Sequence, residues 1–245
     1  MIKQIDKLLS RRAGNGPAKG LRMVRNERCA GFVSGLYERS VQDFLQATLR
    51  AGDVFVDAGA NVGFLTMLGA RLVGPTGSIH AFEPVPENVS VIRRNLAVNG
   101  FRNGAVISKA LGATAGTENI WITHHPGGAT LASVGEVPRD ASEQIEVQRT
   151  TLDHWIDTVH LESIRVIKVD VEGAELDVLR GMPRLLARFR PILLVELDAT
   201  TAEGLQQKEG ELVRYCERIG YKTERMPDSY SNRDHHVAHF VATAA

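Results

Sequence analysis

Four carboxylates in this 245-residue chain each close a short, mostly apolar run: Asp57 after Val54-Phe55-Val56, Glu83 after Ala81-Phe82, Asp170 after Val166 to Val169, and Glu196 after Ile192 to Val195. Asp57 leads into Ala58-Gly59-Ala60-Asn61-Val62-Gly63. Glycines in such a turn let the backbone pass close to a ligand, and the helix start that follows offers free N–H groups. A full dinucleotide fingerprint would read Gly-x-Gly-x-x-Gly; here Ala60-Asn61 follows Gly59, so only a shortened form is present. Glu83, followed by Pro84, can accept both hydroxyls of a ribose. Taken singly, Asp57 reads as a helix-capping acid and Glu83 as a surface turn residue. At consecutive strand ends the two together predict a nucleoside-type cofactor.

The run Asp170-Val171-Glu172-Gly173-Ala174-Glu175 puts more carboxylates at the carboxyl edge of a sheet, where open α/β folds bind ligands. Glu175 falls in a first helical turn and is read as complementing the helix dipole. Asp170 and Glu172 lie in the turn itself and are the stronger candidates. Glu196 adds a carboxylate beside the same edge.

The elements that must position these groups show in the apolar pattern. Five runs, Val54–Val56, Ser78–Phe82, Ala105–Ile107, Val166–Val169 and Ile192–Val195, alternate with amphipathic stretches, as in a parallel sheet covered on both faces. Val62, Leu65, Leu68 and Leu72 line one helix, and Val85, Val89, Ile92 and Leu96 another, closed by Gly100. Tyr37 to Leu49, Thr151 to Leu161 and Glu175 to Leu186 predict further helices, the last interrupted near Gly181-Met182-Pro183. Leu111 to Arg149 is less regular, with strand-like Ile120–Ile122 and Ile145–Val147, and an excursion that long is usually functional. Tyr221–Arg225 and Val237–Thr243 predict a terminal hairpin.

Composition excludes several classes. Lys and Arg together number 29 and Asp and Glu together 29, so no global basic footprint favours nucleic acid. The one asymmetry is at the start, where residues 1–28 carry Lys3, Lys7, Arg11, Arg12, Lys19, Arg22, Arg25 and Arg28 against Asp6 and Glu27. We read a short helix over Ile2 to Arg12, a turn at Gly14-Asn15-Gly16-Pro17, and a solvated arm in preference to a nucleic-acid tail. The chain therefore divides into a basic arm with a cap helix, 1–50, and a main domain, 51–245. No apolar run is long enough to cross a membrane, so no membrane insertion is expected, and the opening residues lack a secretory layout; the expected location is cytoplasmic. Cys29 and Cys216 have neither disulfide nor zinc spacing.

The runs Tyr37-Glu38, Asp57 to Gly63, Ala81-Phe82-Glu83-Pro84, Thr151-Leu152-Asp153, Lys168 to Glu175 and Arg190-Pro191 to Glu196 resemble the FkbM-type methyltransferases. The resemblance runs from about Val33 to the end. It implies a class I, Rossmann-like fold: a doubly wound, mostly parallel seven-stranded sheet with a C-terminal antiparallel hairpin, here preceded by a small helical arm. It also implies S-adenosylmethionine as cofactor and methylation of hydroxyl groups on natural products and sugars, so the expected acceptor is a glycoside, sugar or polyketide. Carried over residue by residue, Glu38, Asp57, Gly59, Asn61 and Gly63 would belong to the cofactor site, most of them against its methionine part. Glu83 would hold the ribose, Ser108-Lys109-Ala110-Leu111 would lie against the adenine with Ala110 in contact, and Asp170 would sit beneath the sulfonium. Nothing is carried onto the basic arm.

An alcohol is a poor nucleophile until deprotonated, so a base is expected among Asp170, Glu172 and loop histidines. In the implied topology the loop from Met226 to His236 emerges at the ligand edge, which favours His235 or His236; His124 and His125 are a second pair within reach of substrate. His80, His154 and His160 read as structural. Asp170 and Glu196 could hold Mg²⁺ with two substrate oxygens, but metal-free base catalysis is the simpler reading and is preferred. Competing classes are a nicotinamide-dependent oxidoreductase, disfavoured by the shortened glycine turn and the lack of a Tyr-x-x-x-Lys pair, and a nucleic-acid methyltransferase, disfavoured by Asp170-Val171-Glu172-Gly173 and the zero net charge.

Overall fold

A computed structural model describes residues 2–123, 129–131, 141–228 and 236–245. In chain order its elements are α1 (Ile2–Leu9), β1 (Arg11–Arg12), β2 (Arg22–Met23), a 3-10 turn (Glu27–Phe32), α2 (Arg39–Thr48), β3 (Val54–Ala58), α3 (Phe64–Val73), β4 (Ser78–Phe82), α4 (Pro86–Asn99) and β5 (Gly104–Ile107). There follow β6 (Ala110–Leu111), β7 (Gly116–Thr123), β8 (Ala129–Leu131), β9 (Ala141–Thr150), α5 (Leu152–Ile156), β10 (Val166–Val169), α6 (Glu175–Arg180), α7 (Pro183–Phe189), β11 (Ile192–Ala199), α8 (Ala202–Arg218), β12 (Tyr221–Arg225) and β13 (His236–Ala244).

The central sheet runs β12-β13-β11-β10-β3-β4-β5. β11, β10, β3, β4 and β5 pair in parallel, while β13 is antiparallel to both its neighbours. The terminal hairpin is thus inserted with its second strand inward. Side chains alternate between two cores, as a sheet buried on both faces requires. Phe55, Ile79, Val166 and Leu194 pack under α2, α3 and α4, whereas Val56, Ile167, Leu193 and Val195 pack under α5 to α8.

The expected helix over Thr151–Leu161 forms only from Leu152 to Ile156, capped by Thr151, whose hydroxyl accepts from His154 N. α8 was not anticipated, because its apolar residues Leu205, Leu212, Tyr215 and Cys216 are diluted by charged residues and two glycines. The excursion after β5 is more ordered than its sequence suggests among the described residues. β6, β9, β7 and β8 form a second, four-stranded sheet with a small core of Val85, Ala110, Ile120, Ile122, Val147 and Ala174.

The start of the chain is not a solvated arm. Ala13, Ala18, Leu21, Met23 and Val24 are buried in the same core as α3 and α4. Asn95 and Asn99 of α4 accept from the Val24 and Arg22 backbone N–H groups at 2.8 Å each, standing in for a neighbouring strand. Gln42 fixes the next stretch, accepting from Ala18 N and donating to the carbonyls of Gly35 and Tyr37. Counting charges overlooked the apolar residues between them. The expected division at residue 50 falls in the turn between α2 and β3, and the segment before it shares its core with the sheet.

Candidate active site

The carboxyl ends of β3, β4, β10 and β11 open into one cleft with about 920 Å³ of empty space, counting its mouth. Glu38, Asp57, Gly59, Asn61, Glu83, Ala110, Asp170, Glu172 and Glu196, all singled out in the sequence, line it together. Gly63 does not; it opens α3 with φ 82°, its α-carbon facing Ile92. His236 lies at the start of β13 opposite Ala199 and is not among the lining residues. His124, His125 and His235 lie outside the described residues.

The glycine turn after β3 is shaped by the protein's own backbone as much as by a ligand. Gly59 has φ 84°, and a Cβ there would land on the Asp170 carbonyl oxygen. The turns after β3 and β10 therefore touch, with Asp170 N donating to Ala58 O at 3.0 Å. Beside them, the buried Glu83 carboxylate accepts from Asn61 N at 2.8 Å, Val85 N at 3.0 Å and Asn88 Nδ2 at 3.2 Å. Burial raises its pKa to about 7 against those hydrogen bonds. Asn61 holds φ 51°, and its buried Oδ1 has no hydrogen-bond partner among the described residues. An orphaned buried acceptor facing a cleft suits a ligand donor.

At the centre is Lys168, a residue that the reading by strand ends passed over. It lies beside Asp57 and Leu194 in the sheet register, and its side chain is only 3% exposed. Nζ is 2.5 Å from Asp170 Oδ2 and 3.9 Å from Glu38 Oε2. Burial opposes its charge, but the carboxylates of Asp170, Glu38, Glu196 and Asp57 win, and its pKa is raised above the ordinary lysine value. Asp57 is itself buried, accepts from Thr66 Oγ1 at 2.5 Å, and is pushed up by desolvation although Lys168 pulls it down. The signal that marks Lys168 in the sequence is a lone charge inside an apolar strand.

His239 was overlooked for the same reason. It faces Glu196 directly across the β11–β13 ladder, with Nε2 2.6 Å from Glu196 Oε2 and 3.9 Å from Glu38 Oε2. The approach is close without being aligned as a hydrogen bond. Burial lowers the His239 pKa and, with Asp170 and Glu38 nearby, raises that of Glu196 well above the carboxylate range. Glu172 stands at the mouth with φ 54°. The residue is exposed, but its carboxylate is hemmed in, and desolvation followed by repulsion from Asp170, Asp198 and Glu196 raises its pKa. Glu175 is buried and accepts from Gly173 N at 2.8 Å, pinning the turn that carries Asp170 and Glu172. That is a firmer role than complementing a helix dipole.

The remaining wall comes mostly from before β3, with Phe64 of α3 added. Phe32, Tyr37 and Phe64 form an aromatic cluster lining the cleft, with ring centroids 4.5 to 5.9 Å apart. Lys109, Ala110 and Ile120 of the second sheet and its approach close the opposite side.

A family model described as the methyltransferase FkbM domain matches residues 57–223. The chain belongs to the FkbM methyltransferase family. It is accordingly an S-adenosylmethionine-dependent methyltransferase. Over 161 residues it is 32% identical to the 31-O-demethyl-FK506 methyltransferase FkbM of Streptomyces tacrolimicus, a match covering 55% of this chain and 61% of that protein. It is 29% identical over 177 residues to Methyltransferase 1 of Beauveria bassiana, covering 63% and 70%. It is 26% identical over 164 residues to the hexuronic acid methyltransferase AglP of Haloferax volcanii, covering 66% and 64%. The chain thus matches somewhat under two thirds of two of these relatives. A solved FkbM methyltransferase from Methylobacillus flagellatus superposes with TM-score 0.51 at 15% identity over 89% of this chain and 55% of that one. An rRNA methylase from Streptococcus thermophilus gives 0.53 at 15% identity over 84% and 95%. At such identities the likeness is one of fold.

Proposed function

We propose that this FkbM-family protein is an O-methyltransferase whose acceptor is a hydroxyl of a small molecule, a glycoside, sugar or polyketide alcohol. The observation that carries the reading is the buried group of Lys168, Asp170, Glu196 and His239 at the head of the cleft. It offers oxygen bases and a fixed positive charge, as an alcohol acceptor requires. The names of the relatives from Streptomyces and Haloferax, a 31-O-demethyl-FK506 methyltransferase and a hexuronic acid methyltransferase, agree with it.

In this reading Glu83 holds the ribose hydroxyls, Asn61 Oδ1 receives a donor from the methionine part, and Ala110 borders the adenine. The cofactor supplies an activated methyl group on a sulfonium, so the chain's own residues need to align the acceptor and take one proton. Asp170 is committed to the Lys168 ammonium and positions that charge within the turn. Glu196 accepts the hydroxyl proton, its raised pKa bringing it towards the working pH, where a general base is most effective. His239 packs behind Glu196 and holds its carboxylate in place. No metal is needed: Lys168 already supplies the cation that Glu38, Glu196 and Asp170 require. The division into a basic N-terminal part, 1–50, and a catalytic part, 51–245, is kept as organisation only, since Glu38 and the aromatic wall come from the first.

The test is calorimetric titration with S-adenosylmethionine, S-adenosylhomocysteine and NAD, followed by screening of glycosides and polyketide alcohols with labelled methyl. Binding of the first two and an O-methyl product by NMR is the expected result. NAD binding alone, or an N- or C-methyl product, would overturn it.

A further inference from the structure

We infer that α1 and the basic groove beside it form a docking surface for an anionic lipid bilayer, holding the enzyme at a membrane surface without crossing it. α1 is fixed to the body by Asp6, which is buried and doubly bonded to Arg94 of α4 at 2.5 and 2.8 Å. With that side committed, the helix presents Ile5, Leu8 and Leu9 outward, 50%, 84% and 48% exposed. Soluble surfaces seldom gather three large aliphatic side chains on two turns.

Next to this stripe, Lys7, Arg12, Lys19, Arg22 and Arg71 line one groove. Their guanidinium contacts are to carbonyls and a hydroxyl: Arg12 to Gly20 O, Arg22 to Lys7 O and Ser10 Oγ, and Arg71 to Lys19 O. Among the described residues none of the five cations is paired with a carboxylate. The charge of the groove is therefore not neutralised by the protein's own carboxylates, and Lys7, Arg12 and Lys19 carry it at the exposed surface.

An apolar stripe rimmed by unpaired cations is the pattern of an interfacial helix, in which acyl chains receive the leucines and lipid phosphates the cations. Charge complementarity selects this occupant. A polynucleotide would meet the cations but leave the leucines in water, and a second copy would set five cations against five. No helix among the described residues is long and apolar enough to cross a membrane, so the surface anchors from outside.

Placement supports the same reading. Arg71 is in the last turn of α3 and Asn99, also lining the groove, ends α4. Both helices start at the sheet edge that carries the cleft, so the groove lies at the opposite edge. A docked enzyme keeps its cleft open to the aqueous side.

The experiment is flotation of the full chain with vesicles of phosphatidylcholine alone or doped with phosphatidylglycerol, at low and high salt. Binding to the anionic vesicles only, weakened by salt, is expected. Leu8→Ser should weaken it about tenfold, and Arg12→Glu with Lys19→Glu by about fivefold or more per site. Leu8 is exposed, and unchanged S-adenosylhomocysteine binding and melting will show that these variants fold. Equal binding to neutral vesicles, no binding at all, loss of a dimer by light scattering in Leu8→Ser, or tighter retention on a polynucleotide than on vesicles would each overturn the proposal.

Discussion

The Lys168 ammonium and the Asp170 carboxylate meet at 2.5 Å across a strand exit, two residues apart on the same face of the sheet. The pair welds the floor of the cleft to the turn that overhangs it. Replacing Lys168 by Met should cost about 3–5 kcal/mol, because several buried carboxylates lose their counterion together. Denaturant unfolding measures this. Asp170→Asn should lose less stability while lowering turnover about 100-fold or more. A normal turnover rate in that variant would remove Asp170 from the mechanism.

Glu83→Ala should weaken binding of S-adenosylmethionine and S-adenosylhomocysteine by about 1.5–3 kcal/mol, the worth of hydrogen bonds to a charged group. Calorimetry gives the number directly, and unchanged affinity would cancel the ribose assignment.

Protonation adds a pH signature. Burial raises both Glu83 and Glu175 from 4.5 to about 7 in the folded chain. Between those values the native state holds more protons at these two groups than the unfolded chain, so their contribution to stability is fully present below about 4.5 and is lost as pH rises towards 7. Each group contributes at most about 3 kcal/mol to this fall. Glu175→Gln keeps the carbonyl acceptor for Gly173 N and should flatten the slope; an equally steep profile would contradict the assignment.

Glu196→Gln should lower kcat about 100-fold or more with little effect on the KM for S-adenosylmethionine. His239→Gln should move the pH–rate profile, because the ring packed 2.6 Å from the Glu196 carboxylate, and the desolvation it imposes there, are replaced. If both variants keep the wild-type profile, the base lies elsewhere.

Two glycines form a paired test of backbone geometry. Gly59 and Gly20 both have positive φ, 84° and 86°, but only Gly59 has a neighbour where a Cβ would stand. Gly20→Ala should cost about 1–2 kcal/mol of conformational strain. Gly59→Ala must also push the Asp170 turn away, and should lose more stability together with cofactor binding. Equal unfolding midpoints would refute the close approach.

Much of this site is legible in the sequence because its parts are local: Asp57, Glu83 and Asp170 each lie at or just past a strand end, parallel strands put such ends on one edge, and Glu196, three residues inside β11, reaches the same cleft. What escaped is what depends on register and on distant packing. His239 becomes important only because β13 runs antiparallel beside β11 and brings it opposite Glu196. Lys168 is hidden by being read as part of a strand. The N-terminal segment was misjudged because its burial depends on Asn95 and Asn99, more than 70 residues downstream.

The cleft is walled by two pieces that the central sheet does not supply: the aromatic cluster built largely from Phe32 and Tyr37, and the second sheet carrying Ala110 and Ile120. Floor and flanks are therefore different stretches of chain, the flanks lying mostly before β3 and between β5 and β10. A fragment cut at Asp57 would lose the aromatic wall and most of β3 together, so floor and flank cannot be parted by truncation.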